Sequence, residues 1–196
     1  MNSTLHHDDA LRRLGSDLTL GLLDLRSFRR EVTQLLRDRF DCAQVLLWRL
    51  DGGGDKQPNT RRLSCTAERY ADALVLDPPH RIDEADVADY LRHLACNGVY
   101  SSPVGVAEDT QAGRFHPQGD AADASLLHAG AMFNGRFLGI VCCGQRGGRE
   151  WSASDKVELQ RLATRIALYV GNVPGYFAEP AAEAGNADAS SLEIEP

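Results

Sequence analysis

The side chains best suited to chemistry in this 196-residue chain are five cysteines, Cys42, Cys65, Cys96, Cys142 and Cys143, and six histidines. No two cysteines stand at the C-x-x-C spacing of a zinc or redox site, and their number is odd. Four of the five fall in apolar or strand-like stretches, where cysteine acts as a small hydrophobe. Cys142 and Cys143 are adjacent, and successive side chains of a strand point to opposite faces. One thiol is therefore expected to enter the core and the other to leave it, and a disulfide between neighbours would be strained. Cys96 is the better reactive candidate, because it falls where an apolar helix gives way to Asn97-Gly98. A thiol enzyme also needs a resolving cysteine, and none stands near Cys96 in sequence. His6-His7-Asp8-Asp9 has metal-binding residue types but no partner cluster, so it reads as a solvated terminus. Nothing here forms a complete catalytic set.

Hydrophobic residues make up 43% of the chain and charged residues 25%, which suits one soluble core. The net charge of −7 argues against nucleic acid as a partner. Most of that charge lies in residues 171–196, which hold Glu179, Glu183, Asp188, Glu193 and Glu195 and no Lys or Arg. Those residues are too poor in apolar side chains to fold and are expected to form a disordered acidic tail. No apolar run approaches the roughly 18 residues that span a bilayer, and the N-terminus lacks a secretory signal. Free thiols and the missing signal together predict a cytoplasmic protein.

The elements that must position these groups follow from periodicity. Leu11, Leu14, Leu18, Leu22 and Leu25 recur at helical spacing, with a break expected near Gly21. Phe28, Val32, Leu35, Leu36 and Phe40 mark a second helix, with Ser27 as the expected N-cap. Its polar face carries Arg29, Arg30, Arg37 and Arg39, a solvated set. Cys42 to Leu50 and Arg61 to Ala67 read as paired strands across a Gly-rich tip, followed by a short strand at residues 71–76. Asp83 to Cys96 has helical spacing. Tyr100 to Val106 reads as extended and Ala107 to Ala124 as a long loop, a feature that in compact domains is usually functional. Ser125 to Phe133 and Phe137 to Cys143 form a hairpin across Asn134-Gly135. Ser152 and Asp155 are spaced as a capping box ahead of a final helix carrying Val157, Leu159, Leu162, Ile166 and Val170. Strands in a meander flanked by helices predict an α+β fold built on an antiparallel sheet.

The close of the chain resembles a known family. Ser125-Leu-Leu, Phe133-Asn-Gly-Arg-Phe-Leu-Gly-Ile-Val-Cys142, Arg149-Glu-Trp-Ser-Ala-Ser-Asp155 and Leu162-Ala-Thr-Arg-Ile166 together resemble the final hairpin and helix of a GAF domain. Upstream, Tyr90-Leu-Arg-His-Leu94 and Val106-Ala-Glu-Asp109 are similar to the helix and Asp-bearing loop that line that family's pocket. Asp109 is followed by Thr110-Gln111 where many members have Pro-Arg, and Gly130 stands where they often have Pro.

The resemblance implies three segments: an N-terminal helical extension over 1–26, a GAF-like domain over 27–170 and the tail over 171–196. It implies terminal helices on one face of the sheet and a pocket-forming helix and loop on the other. The implied ligand-binding residues are Tyr90, His93, Tyr100, Asp109, Arg114, Ser125 and His128. The implied function is a bacterial sensor that binds an unidentified small molecule, does no chemistry and signals to a separate output protein. A homodimer through the Leu11–Phe40 and Ser154–Tyr169 helices is also expected. Two alternatives stand beside it: an enzyme resembling free methionine sulfoxide reductases with Cys96 as nucleophile, and a ligand-free dimerisation module. Bilin-binding relatives typically carry His after the attachment Cys, whereas Asn97 follows Cys96.

Overall fold

The computed structural model describes residues 2–51, 61–103, 111–116, 124–174 and 176, with side chains described from residue 8 onward. Helix α1 (Asn2–Thr19) and helix α2 (Leu25–Phe40) are separated by a turn in which Gly21 takes φ 72°. The helix break expected at Gly21 is present. The cap of α2 is Asp24 rather than Ser27: its carboxylate accepts the Ser27 backbone N–H at 2.6 Å, so the helix begins at Leu25. Strands β1 (Gln44–Asp51), β2 (Arg62–Tyr70), β3 (Ala73–Leu76) and β4 (Arg81–Asp83) follow. A 3-10 turn at Glu84–Val87 leads into α3 (Ala88–Asn97) and β5 (Val99–Ser102). A second 3-10 turn occupies Gly113–Phe115. The chain then forms β6 (Ala124–Phe133), β7 (Arg136–Arg146) and α4 (Ala153–Gly171).

The strands form one antiparallel sheet in the order β3-β2-β1-β7-β6-β5, with β4 paired to β2. The β6–β7 hairpin turns through Asn134 and Gly135, both at positive φ, as a tight two-residue turn requires. At the start of α4, Ser152 Oγ accepts the Asp155 N–H at 3.1 Å and the Asp155 carboxylate accepts the Ser152 N–H at 3.0 Å. The capping box is complete.

Helices α1, α2 and α4 cover one face of the sheet. Leu11, Phe28, Val32, Leu36 and Phe40 bury there with Leu159, Leu162, Ala163 and Ala167. The leucine stripe of α1 is thus used within the chain: Leu11 and Leu18 are buried against α2 and α4. Charge fixes the same layer, with Asp8 of α1 paired to Arg161 at 2.6 Å and Arg165 at 3.2 Å. Arg161 holds the Asp8 carboxyl below its ordinary range. The second face is covered by α3 and the 111–116 segment, over a separate core that includes Leu46, Trp48, Leu63, Tyr90, Leu94, Phe115, Leu126 and Ile140. The α+β layout, with terminal helices on one face and a helix-and-loop layer on the other, is the observed one.

Because both faces are covered, the expectation for the adjacent cysteines needs correction. Their side chains do point to opposite faces, but neither leaves the protein: Cys143 lies in the helix-side core and Cys142 in the other. Among the described residues, no helix is long and apolar enough to cross a membrane.

Candidate functional site

On the α3 face, strand pairing aligns Tyr100 of β5 with His128 of β6, and His128 with Cys142 of β7. Cys142 lies opposite Leu46 of β1, and Leu46 opposite Glu68 of β2. Gln44 precedes Leu46 by two residues and so shares this face. A row of polar and soft side chains therefore crosses the middle of the sheet, and all but Tyr100 are buried.

The 111–116 segment closes over this row and is fastened at several points. Gln111 Oε1 accepts the Tyr90 N–H at 3.0 Å, satisfying one of the open donors at the start of α3. Trp48 Nε1 donates to the Phe115 carbonyl at 3.2 Å, and the two rings meet edge-on at 5.4 Å. Phe115 also lies 5.5 Å from the Tyr90 ring and is fully buried. His116 then drops onto the sheet, where β7 carries Gly144. A Cβ at Gly144 would stand 3.2 Å from His116 Cε1. The glycine leaves room for the imidazole.

The polar groups form a continuous chain. Tyr90 Oη meets His128 Nδ1 at 2.6 Å, His128 Nε2 meets His116 Nε2 at 2.8 Å, and His116 Nδ1 meets Gln44 Oε1 at 2.8 Å. Gln44 Nε2 donates to Glu68 Oε1 at 3.3 Å, and Glu68 Oε2 lies 3.3 Å from His80 Nε2. These contacts assign the hydrogens. With the Gln44 amide nitrogen donating to Glu68, its oxygen can only accept, so His116 carries its proton on Nδ1. His116 Nε2 is then an acceptor, His128 carries its proton on Nε2, and Tyr90 donates its hydroxyl to His128 Nδ1. Every donor points the same way, from Tyr90 toward Glu68.

Burial keeps both imidazoles neutral. It pushes His116 down to about 3, and burial together with the adjacent His116 pushes His128 well below the ordinary histidine value. Burial likewise raises the Tyr90 hydroxyl and the Cys142 thiol. At neutral pH the stretch from Tyr90 through His128 and His116 to Gln44 is uncharged and hydrogen-bonded throughout between aromatic walls, not an acid–base pair poised to react.

Of the seven residues implied by the resemblance, Tyr90 and His128 are brought into direct contact. Tyr100 packs beside them, its ring 5.3 Å from Tyr90 and 6.2 Å from His128. His93 lies at the exposed edge, bonded to Asn97 at 3.1 Å with its ring 6.1 Å from Tyr100. Arg114 points outward to Asp86 at 3.5 Å. Ser125 lies on the opposite, helix-side face with Leu127, and its hydroxyl donates to the Gln145 carbonyl at 3.3 Å. It does not join the group, because β6 alternates and His128 takes the other face. Asp109 lies outside the described residues. His116, Gln44, Glu68 and Phe115 belong to the site without having been anticipated.

A cavity of about 40 Å³ lies on the helix side, between Leu25, Phe28, Leu47, Ile166 and Val170. Its walls are mainly apolar but include Arg29, Arg49 and Thr66, it has room for little more than a water molecule, and it lies away from the polar chain. The polar chain is the better mark of a functional face, because buried polar groups carry specificity and apolar gaps do not.

A family profile for the GAF domain matches residues 24–170. The chain belongs to the GAF domain family. This GAF domain is similar in fold to a bacteriophytochrome from the photosynthetic bacterium R. palustris, at 12% identity and a TM-score of 0.64. That match covers 88% of this chain and 38% of the bacteriophytochrome, so the chain spans well under half of that relative. A far-red cyanobacteriochrome photoreceptor matches at 13% identity and a TM-score of 0.60, over 87% of this chain and 98% of its own. The phycoerythrobilin-bound GAF domain of a cyanobacterial phytochrome matches at 16% identity and a TM-score of 0.60, over 85% and 95%. At these identities the likeness is one of fold. No curated protein matches the chain.

Proposed function

We propose that this GAF domain is a sensory module that binds a small molecule on its α3 face, does no chemistry, and passes the binding event to a separate bacterial output protein. The observation carrying this reading is the buried chain from Tyr90 through His128, His116 and Gln44 to Glu68, roofed by a short turn whose Phe115 packs over it. A ligand that takes over the bonds of Tyr90 and His128 displaces Phe115 and His116, and its differential affinity for the two positions of that turn is the signal. In the phytochrome relative named above a bilin occupies the GAF domain. A flat, polar-edged organic molecule is the corresponding ligand class here.

The reductase reading rests on Cys96 alone. Cys96 is exposed, while Cys42, Cys65, Cys142 and Cys143 are buried and so not positioned to resolve an oxidised thiol. A homodimer remains part of the proposal, with α4 as the contact: Val157 and Leu168 are exposed on it and eleven positions apart, which places them on one helix face.

The test is native mass spectrometry of the purified chain, followed by stripping and rebinding of the released small-molecule fraction. A defined organic adduct that rebinds to the wild type and is lost in Tyr90→Phe and His128→Gln supports the reading. Equal retention by those variants contradicts it.

A further inference from the structure

One ring nitrogen each of His116 and His128 and the Cys142 Sγ all lie within 4.8 Å of one another, fully buried, on the α3 face. We propose that these three side chains form a zinc site. The inference goes beyond the sensor reading and does not need it, since it rests only on the three side chains and what holds them.

Three features make this a built site rather than a chance cluster. The first is ligand type: two imidazole nitrogens and one thiolate suit a tetrahedral zinc ion, and three protein ligands leave a fourth position for water or another small ligand. The second is the outer shell. Zinc-binding histidines commonly hold their second nitrogen in a fixed hydrogen bond. Here His116 Nδ1 bonds Gln44 Oε1 at 2.8 Å, itself held by Glu68, and His128 Nδ1 bonds Tyr90 Oη at 2.6 Å. Both Nδ1 atoms are thereby occupied, which leaves the two Nε2 atoms, in contact at 2.8 Å, as the available ligands. The third is room: Gly144 replaces a side chain that would press on the His116 ring.

Binding changes two protons. His116 already presents an Nε2 lone pair. His128 moves its proton from Nε2 to Nδ1 and donates that N–H to Tyr90 Oη, which turns from donor to acceptor and keeps its own hydrogen. Cys142 coordinates as thiolate and gives its proton to solvent. The Nε2 atoms, now 2.8 Å apart, must separate to about 3.3 Å to sit on a tetrahedral ion with Zn–N bonds of about 2.0–2.1 Å. That shift of about half an ångström is taken up by the His116 and His128 rings and the turn that carries His116. Zinc would then pin the 111–116 segment to β6 and β7.

The experiment uses the full chain carrying Cys96→Ser, freed of metal with chelator and titrated with zinc chloride against a chromophoric chelator. The expected result is one zinc per chain, with affinity reduced at least tenfold by Cys142→Ala and by His116→Gln. Substituting His6 and His7 with Ala should leave binding unchanged. Because the core variants can fail to fold, the zinc X-ray absorption spectrum of the parent chain gives an independent readout. One sulfur and two imidazoles at the metal support the site. No zinc retained against the chelator, a sulfur-free spectrum, or binding that follows His6 and His7 would overturn it.

Discussion

His116 and His128 meet Nε2 to Nε2 at 2.8 Å in the interior, so one nitrogen carries a hydrogen and the other accepts it. The contact joins the 111–116 segment to the sheet, and it is lost when both rings are charged, since two imidazolium ions would oppose two N–H groups. The Gln44 amide decides which ring donates.

The first prediction is therefore a pair of tautomers. Long-range 1H–15N spectra of the metal-free protein at neutral pH should show His116 protonated on Nδ1 and His128 on Nε2. The reverse assignment would mean that the Gln44 amide is turned around.

Acid should loosen the fold earlier than carboxylate titration alone would. His116 has a folded pKa of about 3, below its ordinary value of 6.5, and His128 is shifted in the same direction. A depressed folded value means the unfolded chain takes up the proton first. The stabilising contribution is complete above about pH 6.5 and is lost as pH falls toward 3. For one such group the slope is about 1.4 kcal/mol per pH unit. Urea unfolding of chelator-treated protein between pH 7.5 and 4.5 measures it, and His116→Gln should flatten the profile.

Phe115→Ala should cost about 3–5 kcal/mol by the usual cavity and transfer effects, because the ring is fully buried against Trp48 and Tyr90. Hydrogen exchange should show the loss concentrated in residues 88–97 and 111–116. Protection unchanged there would mean that the turn is fixed by something other than Phe115.

Ser152→Ala removes the acceptor for the Asp155 N–H and half of the capping box. The expected cost is about 1 kcal/mol in urea unfolding, with the hydrogen exchange of the α3 face unaffected. It serves as a control on the helix-side layer.

Much of the fold was legible because its signals are local. Asn134-Gly135 between two apolar runs marks a hairpin, Ser152 and Asp155 mark a helix start, and Gly21 marks a break. Strand β4 was not legible, since Arg81-Ile82-Asp83 is too short to show alternation and pairs with Arg62–Ser64 across a long connection. Ser27 attracted the N-cap assignment over Asp24 because both residue types favour that position and only the backbone geometry separates them. The site was half legible. Tyr90, Tyr100 and His128 could be reached through the family resemblance, but that route also drew in Ser125, because β6 was not assigned a register. Gln44 looked like an ordinary strand residue, and Glu68 lay just past the expected strand end at Ala67, although β2 runs on to Tyr70. They join His116 only through strand pairings that are distant in sequence, and a polar residue within a strand is uninformative until both sheet faces are known to be covered. Gln44 amid apolar neighbours, His116 inside the long loop and His128 just after it were the available signals.

In the proposed sensor, ligand binding acts on the α3 face by displacing the turn at 111–116. Hydrogen-exchange mass spectrometry of the stripped chain and of the chain reloaded with its own co-purified small-molecule fraction tests it directly. The predicted result is altered protection in residues 88–97, 111–116 and 124–130. Changes confined to α1, α2 and the outer face of α4, with the α3 face unaffected, would contradict it.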